Sequence, residues 1–266
     1  MSDLKRSTKV NMEDWPRRYF QASEGRPFLF YVLYGSFEVK KPMSKSTYWS
    51  NGIPRGFKIM HYSRDNQAEV LDDFLVGHAS EDFKHKNNKV SEGIEESPEC
   101  YILRGEIADS SDLNYLRDAI GLLTYLADHG GVGIHDPQMF RWWTIDSWKK
   151  EIFEHHQSYP RHHTIILFSE EENGAWFHTR GMRKFGRPDL SLRGVADGQR
   201  EKVIELFNRF IEYHAFGGII EDGKEIRIEG FPSGYRCYQQ GHLDDSDFNN
   251  VHVEIRKVDQ GSDSTG

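Results

Sequence analysis

The spacing of apolar side chains changes several times along the chain, and each change marks a predicted element. Phe28 to Tyr34 is an unbroken apolar and aromatic run of strand length, preceded by Pro27 and closed by Gly35, which predicts a buried strand. Phe57 to Tyr62 predicts a second strand and Ala68 to Phe74 a short helix, whereas the polar stretch from Gly77 to Lys89 predicts surface loop. Cys100 to Ile107 predicts another strand. Beyond it Leu113, Leu116, Ile120, Leu123 and Ala127 recur at steps of three and four, one face of a helix over 112–128. Asp109, Ser110, Ser111 and Asp112 offer cap oxygens before that helix, and His129-Gly130-Gly131 stops it, leaving Gly131 to His135 as a strand. Trp142, Trp143, Ile145 and Trp148 surround a shorter helix near 144–153, and Thr164 to Ser169 with Ala175 to Thr179 form a hairpin. Val203, Phe207, Phe210 and His214 stripe a second long helix over 198–215, stopped by Gly217-Gly218. Strands follow near 219–221, 225–229, 235–239 and 251–256.

This order predicts an α+β fold: from residue 100 onward, a ferredoxin-like αβ sandwich with additions. One mixed or antiparallel sheet would carry the 112–128 and 198–215 helices on a common face. A parallel doubly wound sheet fits the hairpin and the strand-rich C-terminal part less well. Ser91 to Glu99, rich in Glu and Ser with one Gly and one Pro, reads as a linker. The chain therefore divides into a mobile segment over 1–25, a small α+β portion over 26–96, a main domain over 97–256 and a disordered tail over 257–266.

Composition narrows the partners. With 37% hydrophobic and 29% charged residues among 266, the chain is of soluble globular type. It has neither an apolar run long enough to span a bilayer nor a secretory leader, so a cytoplasmic location is expected. A formal charge of −8 disfavours nucleic acid and anionic membranes as partners. The only cysteines, Cys100 and Cys237, are expected as reduced core thiols.

Trp176 to Val195 (WFHTRGMRKFGRPDLSLRGV) sets a strand ending in Thr179 before Gly181, Phe185-Gly186, Pro188 and Asp189. This segment resembles the hallmark of the DUF4261-type family of uncharacterised bacterial proteins. The resemblance extends over roughly 100–230 and implies a fold, with no activity to carry over.

The same segment holds the main chemical candidates. Arg180, Arg183 and Arg187 with Lys184 can clamp a carboxylate or phosphate beside two glycines, and the plainer alternative is a solvated turn whose arginines pair with Asp189 and other carboxylates. His178 or His163 would serve such a site as proton carrier. Histidines are numerous, but their spacing gives no metal motif, and no cofactor motif is present; His178, His163 and His135 would have to converge across the fold to bind a metal. Asp245, Asp247 and Asn249 echo a calcium loop that then fails at Asn250 and Arg256, which favours an Asx turn. Trp142, Trp143 and Trp148 offer an aromatic interaction surface, or else core packing. Two functions follow as expectations: a non-enzymatic protein-interaction or regulatory module of immunity-like type using the tryptophans, or a hydrolase or transferase acting on a small anionic substrate through the arginine loop.

Overall fold

The computed structural model describes residues 12–155 and 157–258. Its strands are β1 (Phe28–Gly35), β2 (Phe57–Ser63), β3 (Glu99–Glu106), β4 (Gly131–Asp136), β5 (Arg141–Thr144), β6 (Ile165–Glu171), β7 (Gly174–Arg180), β8 (Asp189–Val195), β9 (Tyr235–Gln240) and β10 (His252–Lys257). Its helices are α1 (Lys45–Tyr48), α2 (Arg64–Asp72), α3 (His78–Lys86), α4 (Asn88–Glu95), α5 (Asn114–Ala127), α6 (Ile145–Trp148) and α7 (Arg200–Ala215). The protein has an α+β fold.

The strands form two five-stranded sheets, ordered β2-β3-β1-β4-β5 and β6-β7-β8-β10-β9. Pairing is antiparallel throughout except between β8 and β10. This corrects the expectation of one sheet carrying both long helices. Helix α5 packs on β1 and β4 of the first sheet, and α7 packs on β8 of the second. The proposed break at 91–99 falls within the first unit, because β3 lies between β1 and β2 and pairs with both along its length.

The unbroken apolar run of β1 is explained by cover on both faces. Leu29, Tyr31 and Leu33 face the main core with α5, while Val32 and Tyr34 face a smaller core with Leu71, Phe83 and Ile94. The last three come from α2, α3 and α4. The stretch expected as loop and linker is therefore helical over most of 78–95. Its apolar residues are too sparse to show as a stripe, yet enough to roof a sheet. Helix α5 is buried on nearly every side, as a helix between layers must be.

In the second sheet one face alternates cleanly. Phe177, Leu190, Leu192, Val253 and Ile255 join Val203, Phe207 and Ile211 of α7 in the main core, which runs without a break into the first sheet. The strands expected at 219–221 and 225–229 reduce to one bridge, Glu225 to Arg236, along the outer edge of β9. Residues 1–11 and 259–266, where mobile ends were expected, lie outside the described residues. Residues 12–25 do not behave as a loose segment: Trp15 joins the main core and Arg17 is buried. None of the described helices is long and apolar enough to cross a membrane.

Candidate functional site

The basic loop between β7 and β8 is where the two sheets meet. Its turn over Met182–Phe185 touches both β1 and α7, and Met182 and Phe185 are core residues. The glycines of the motif make the turn possible. Gly181 and Gly186 have φ of 112° and 60°, in the left-handed region that favours glycine. A Cβ on Gly181 would stand 2.5 Å from the His163 carbonyl oxygen, and one on Gly186 2.6 Å from Pro27.

Two of the four cations in this loop serve the fold. Lys184 is fully buried, with Nζ 2.9 Å from the Asp136 carboxylate at the end of β4 and donating to the His163 carbonyl at 3.0 Å. Burial pushes the Lys184 pKa down and that of Asp136 up, and each charge offsets the penalty on the other. Arg187, expected to bind substrate, is spent internally. Its terminal nitrogens donate to Asp109, Ser23 and the carbonyls of Gln21, Gly186 and Gly217. Arg17 donates to the other oxygen of Asp109, so one buried carboxylate joins two guanidinium groups. The motif arginine closest to the core therefore ties the N-terminal segment to the sheet junction.

Arg180 and Arg183 have a different fate. Both line a cleft of about 620 Å³ between the sheets, together with Arg104 from β3. Arg183 lies over the Phe28 ring at 4.6 Å, with Arg104 over the same ring at 5.6 Å and over Phe30 at 5.6 Å. Arg180 lies over Phe140 at 4.6 Å and donates to the Asp247 carbonyl, and Arg183 donates to that of Asn249 at 3.0 Å. No close ion pair engages Arg180 among the described residues, but Asp189, Asp247 and Asp245 lie near enough to favour its charge. Glu106 reaches Arg183 only at 3.7 Å, and Arg104 pairs with no carboxylate among the described residues. Stacking on aromatic rings holds a guanidinium in place while its edge donors stay free.

Asp189 completes the lining. Its Oδ1 accepts from Thr179 Oγ1 at 2.8 Å and Met182 N at 3.3 Å, and its Oδ2 accepts from Asn250 at 2.8 Å. Burial raises its pKa to about 6 despite these donors. The acidic residue of the motif thus fixes the loop from inside rather than pairing with its arginines.

The two histidines expected as proton carriers are not brought together. His163 is buried, with its ring against Phe185, and its pKa is driven well below the usual value by burial and then by Lys184. His178 lies on the other face of β7, stacked on Trp176 at 4.2 Å and against Phe248, with its pKa lowered to about 4, chiefly by burial. His135 stacks on Trp142 at 4.2 Å in the smaller core, and burial lowers its pKa to about 3. None of the three lines the cleft, and among the described residues no group of three or more His, Cys, Asp or Glu is placed to hold a metal ion. Of the paired histidines in the sequence, His156 lies outside the described residues. Asp245 Oδ1 accepts from the Asp247 and Phe248 backbone N–H groups, the expected Asx turn.

The tryptophan surface is also corrected. Trp142, Trp143 and Trp148 are all buried, Trp148 donating to Thr124 Oγ1 at 2.9 Å. Trp143 and Trp148 pack in the main core beneath α5, and Trp142 fills the smaller core on the opposite face with Tyr34, Phe83 and His135, where large apolar rings gain most from leaving water.

Sequence reasoning missed Arg104, Phe28 and Phe30 as site residues. The available signal was an arginine placed inside the otherwise apolar run from Cys100 to Leu103 and Gly105. Comparison of the chain with protein-family models, curated proteins and solved structures gives no match.

Proposed function

We propose that this protein binds a small anionic molecule, phosphate- or carboxylate-bearing, in the cleft between its two sheets. One observation carries the reading: three guanidinium groups from two sheets converge on one cleft of a protein whose formal charge is −8, held on aromatic rings with donors to spare. Bidentate donation from arginine suits planar or tetrahedral oxyanions, and the partly enclosed site strengthens it relative to bulk water. The half-buried Phe28 and Phe30 offer an apolar wall beside the cations. Of the two functions expected from sequence, the anionic-ligand reading keeps Arg180 and Arg183. The interaction-module reading loses the tryptophans on which it rested.

Titration calorimetry with inorganic phosphate, pyrophosphate and small carboxylates tests the binding. Arg104→Ala and Arg183→Ala should each weaken the preferred anion about ten-fold or more, an effect of about 1.4 kcal/mol or above. Arg193→Ala, on the far side of Trp176, should not. Equal affinity in all four proteins would end the proposal.

A further inference from the structure

A second cavity of about 500 Å³ opens beside the cleft and shares Glu106, Arg183 and Leu243 with it. Its character is different. Ile219, Ile220, Pro188 and Val251 supply apolar walls, and two of the molecule's exposed large apolar side chains, Leu243 at 48% and Val251 at 37%, stand on its lining. His214 also lines it. The ring is fully buried and neither nitrogen makes a hydrogen bond; the Pro188 carbonyl is close enough to favour the protonated ring without reaching bonding geometry. Of the arginines on this lining, Arg187 is neutralised by Asp109 and the exposed Arg26 by Glu106, Arg183 is shared with the cleft, and exposed Glu24, Glu221 and Asp222 stand on the lining as well. An anion has no seat here, but an apolar group does.

We propose that the cleft and this cavity hold the two ends of one ligand, an anion with an apolar tail, its head on Arg104 and Arg180 and its tail beneath Ile219, Ile220 and Val251. The inference rests on the anion-binding reading above and names its substrate class. Arg183 and Glu106, common to both spaces, form the sill over which such a molecule lies. The apolar walls of the cavity and the pairing of Arg26 with Glu106 and of Arg187 with Asp109 leave the free guanidinium donors in the cleft, which fixes the direction of binding. A cavity of this size suits a small organic tail.

Calorimetry on the full chain with inorganic phosphate and with butyl, hexyl and octyl phosphate monoesters tests it. Affinity should rise about four-fold for each added methylene until the cavity is full, the value of burying one such group. Val251→Trp, at an exposed position that lines the cavity and not the cleft, should flatten the dependence on chain length and leave inorganic phosphate binding unchanged. Arg104→Ala should weaken every phosphate by the same factor. If inorganic phosphate binds through Arg104 but longer tails add nothing, the cavity belongs to no such ligand and this inference falls while the anion site stands. If octylammonium binds as well as octyl phosphate, the head assignment is wrong. If tails bind while inorganic phosphate does not and Arg104→Ala has no effect, both readings fall together.

Discussion

The two sheets have five strands each but live in different surroundings. The first has α5 and α6 against one face and α2 to α4 against the other, so nearly every side chain of β1 is buried. The second has α7 on one face only. On its other face Trp176, His178 and His252 are closed over by Phe248 from the 241–250 loop. The first sheet therefore reads in sequence as a continuous apolar run, and the second as alternation, with polar and aromatic residues left for its open face. A sheet sealed on both sides has no surface to offer a ligand except at its ends. The cleft lies at such an end, where β1 and β3 meet the loop that leaves β7.

The sharpest way to break this arrangement is at the junction. Lys184→Met should strand the Asp136 carboxylate inside the protein and cost about 3–5 kcal/mol in urea unfolding. Joint replacement with Asp136→Leu should recover most of that loss. Full stability in the single variant would show that the sheets do not depend on this pair.

A sealed central strand and an edge strand of the half-covered sheet should also differ in tolerance. Leu103→Ala, in the first sheet, should cost about 2–5 kcal/mol. Phe168→Ala, at 58% exposure on edge strand β6, should cost about 1 kcal/mol or less although its ring stacks on Phe177. Similar losses at both sites would erase the contrast between the sheets.

Acid should weaken the protein through its buried neutral histidines. His135 and His214 have folded-state pKa values near 3, below the ordinary 6.5, so the unfolded chain binds more protons between those values. Stability then rises with pH across that window and is lost as pH falls through it. Each ring accounts for about 3 kcal/mol by pH 4. Asp189, raised to about 6, acts in the opposite sense, adding about 2 kcal/mol on the same descent. His163 reinforces the histidines and Asp136 opposes them. The two rings outweigh Asp189, so the melting temperature should drop between pH 6.5 and 4, and His214→Phe should flatten the curve. An unchanged slope in that variant would mean that His214 does not titrate with unfolding.

The smallest effect belongs to the open side of the second sheet. The ion pair of Arg193 with Glu171 is half exposed, and Arg193→Ala should change stability by less than about 1 kcal/mol in a thermal melt at moderate salt. A larger loss would point to the stacking of Arg193 on Trp176 at 3.9 Å instead of the ion pair.

Local pattern was sufficient for the α+β class, for the two long helices within two residues of their ends, for the β6–β7 hairpin and for the Asx turn at Asp245. Each of these depends on neighbours in sequence: a period, a cap, a two-residue turn. It also singled out the loop that proves to be the sheet junction, because glycines and clustered cations are visible without a fold. What that loop does was decided elsewhere in the chain. Asp109, Asp136 and Ser23 turn Arg187 and Lys184 inward, while Arg104 and Phe28, remote in sequence from Arg183, turn the remaining arginines into a cleft. The division into two sheets was equally out of reach, since β3 can choose β1 and β2 as partners only once all three strands are side by side. Burial fixed the tryptophans and histidines in the same way. A ring that looks like a binding surface in one dimension becomes core when long-range contacts remove it from water, and no short window of sequence holds that information.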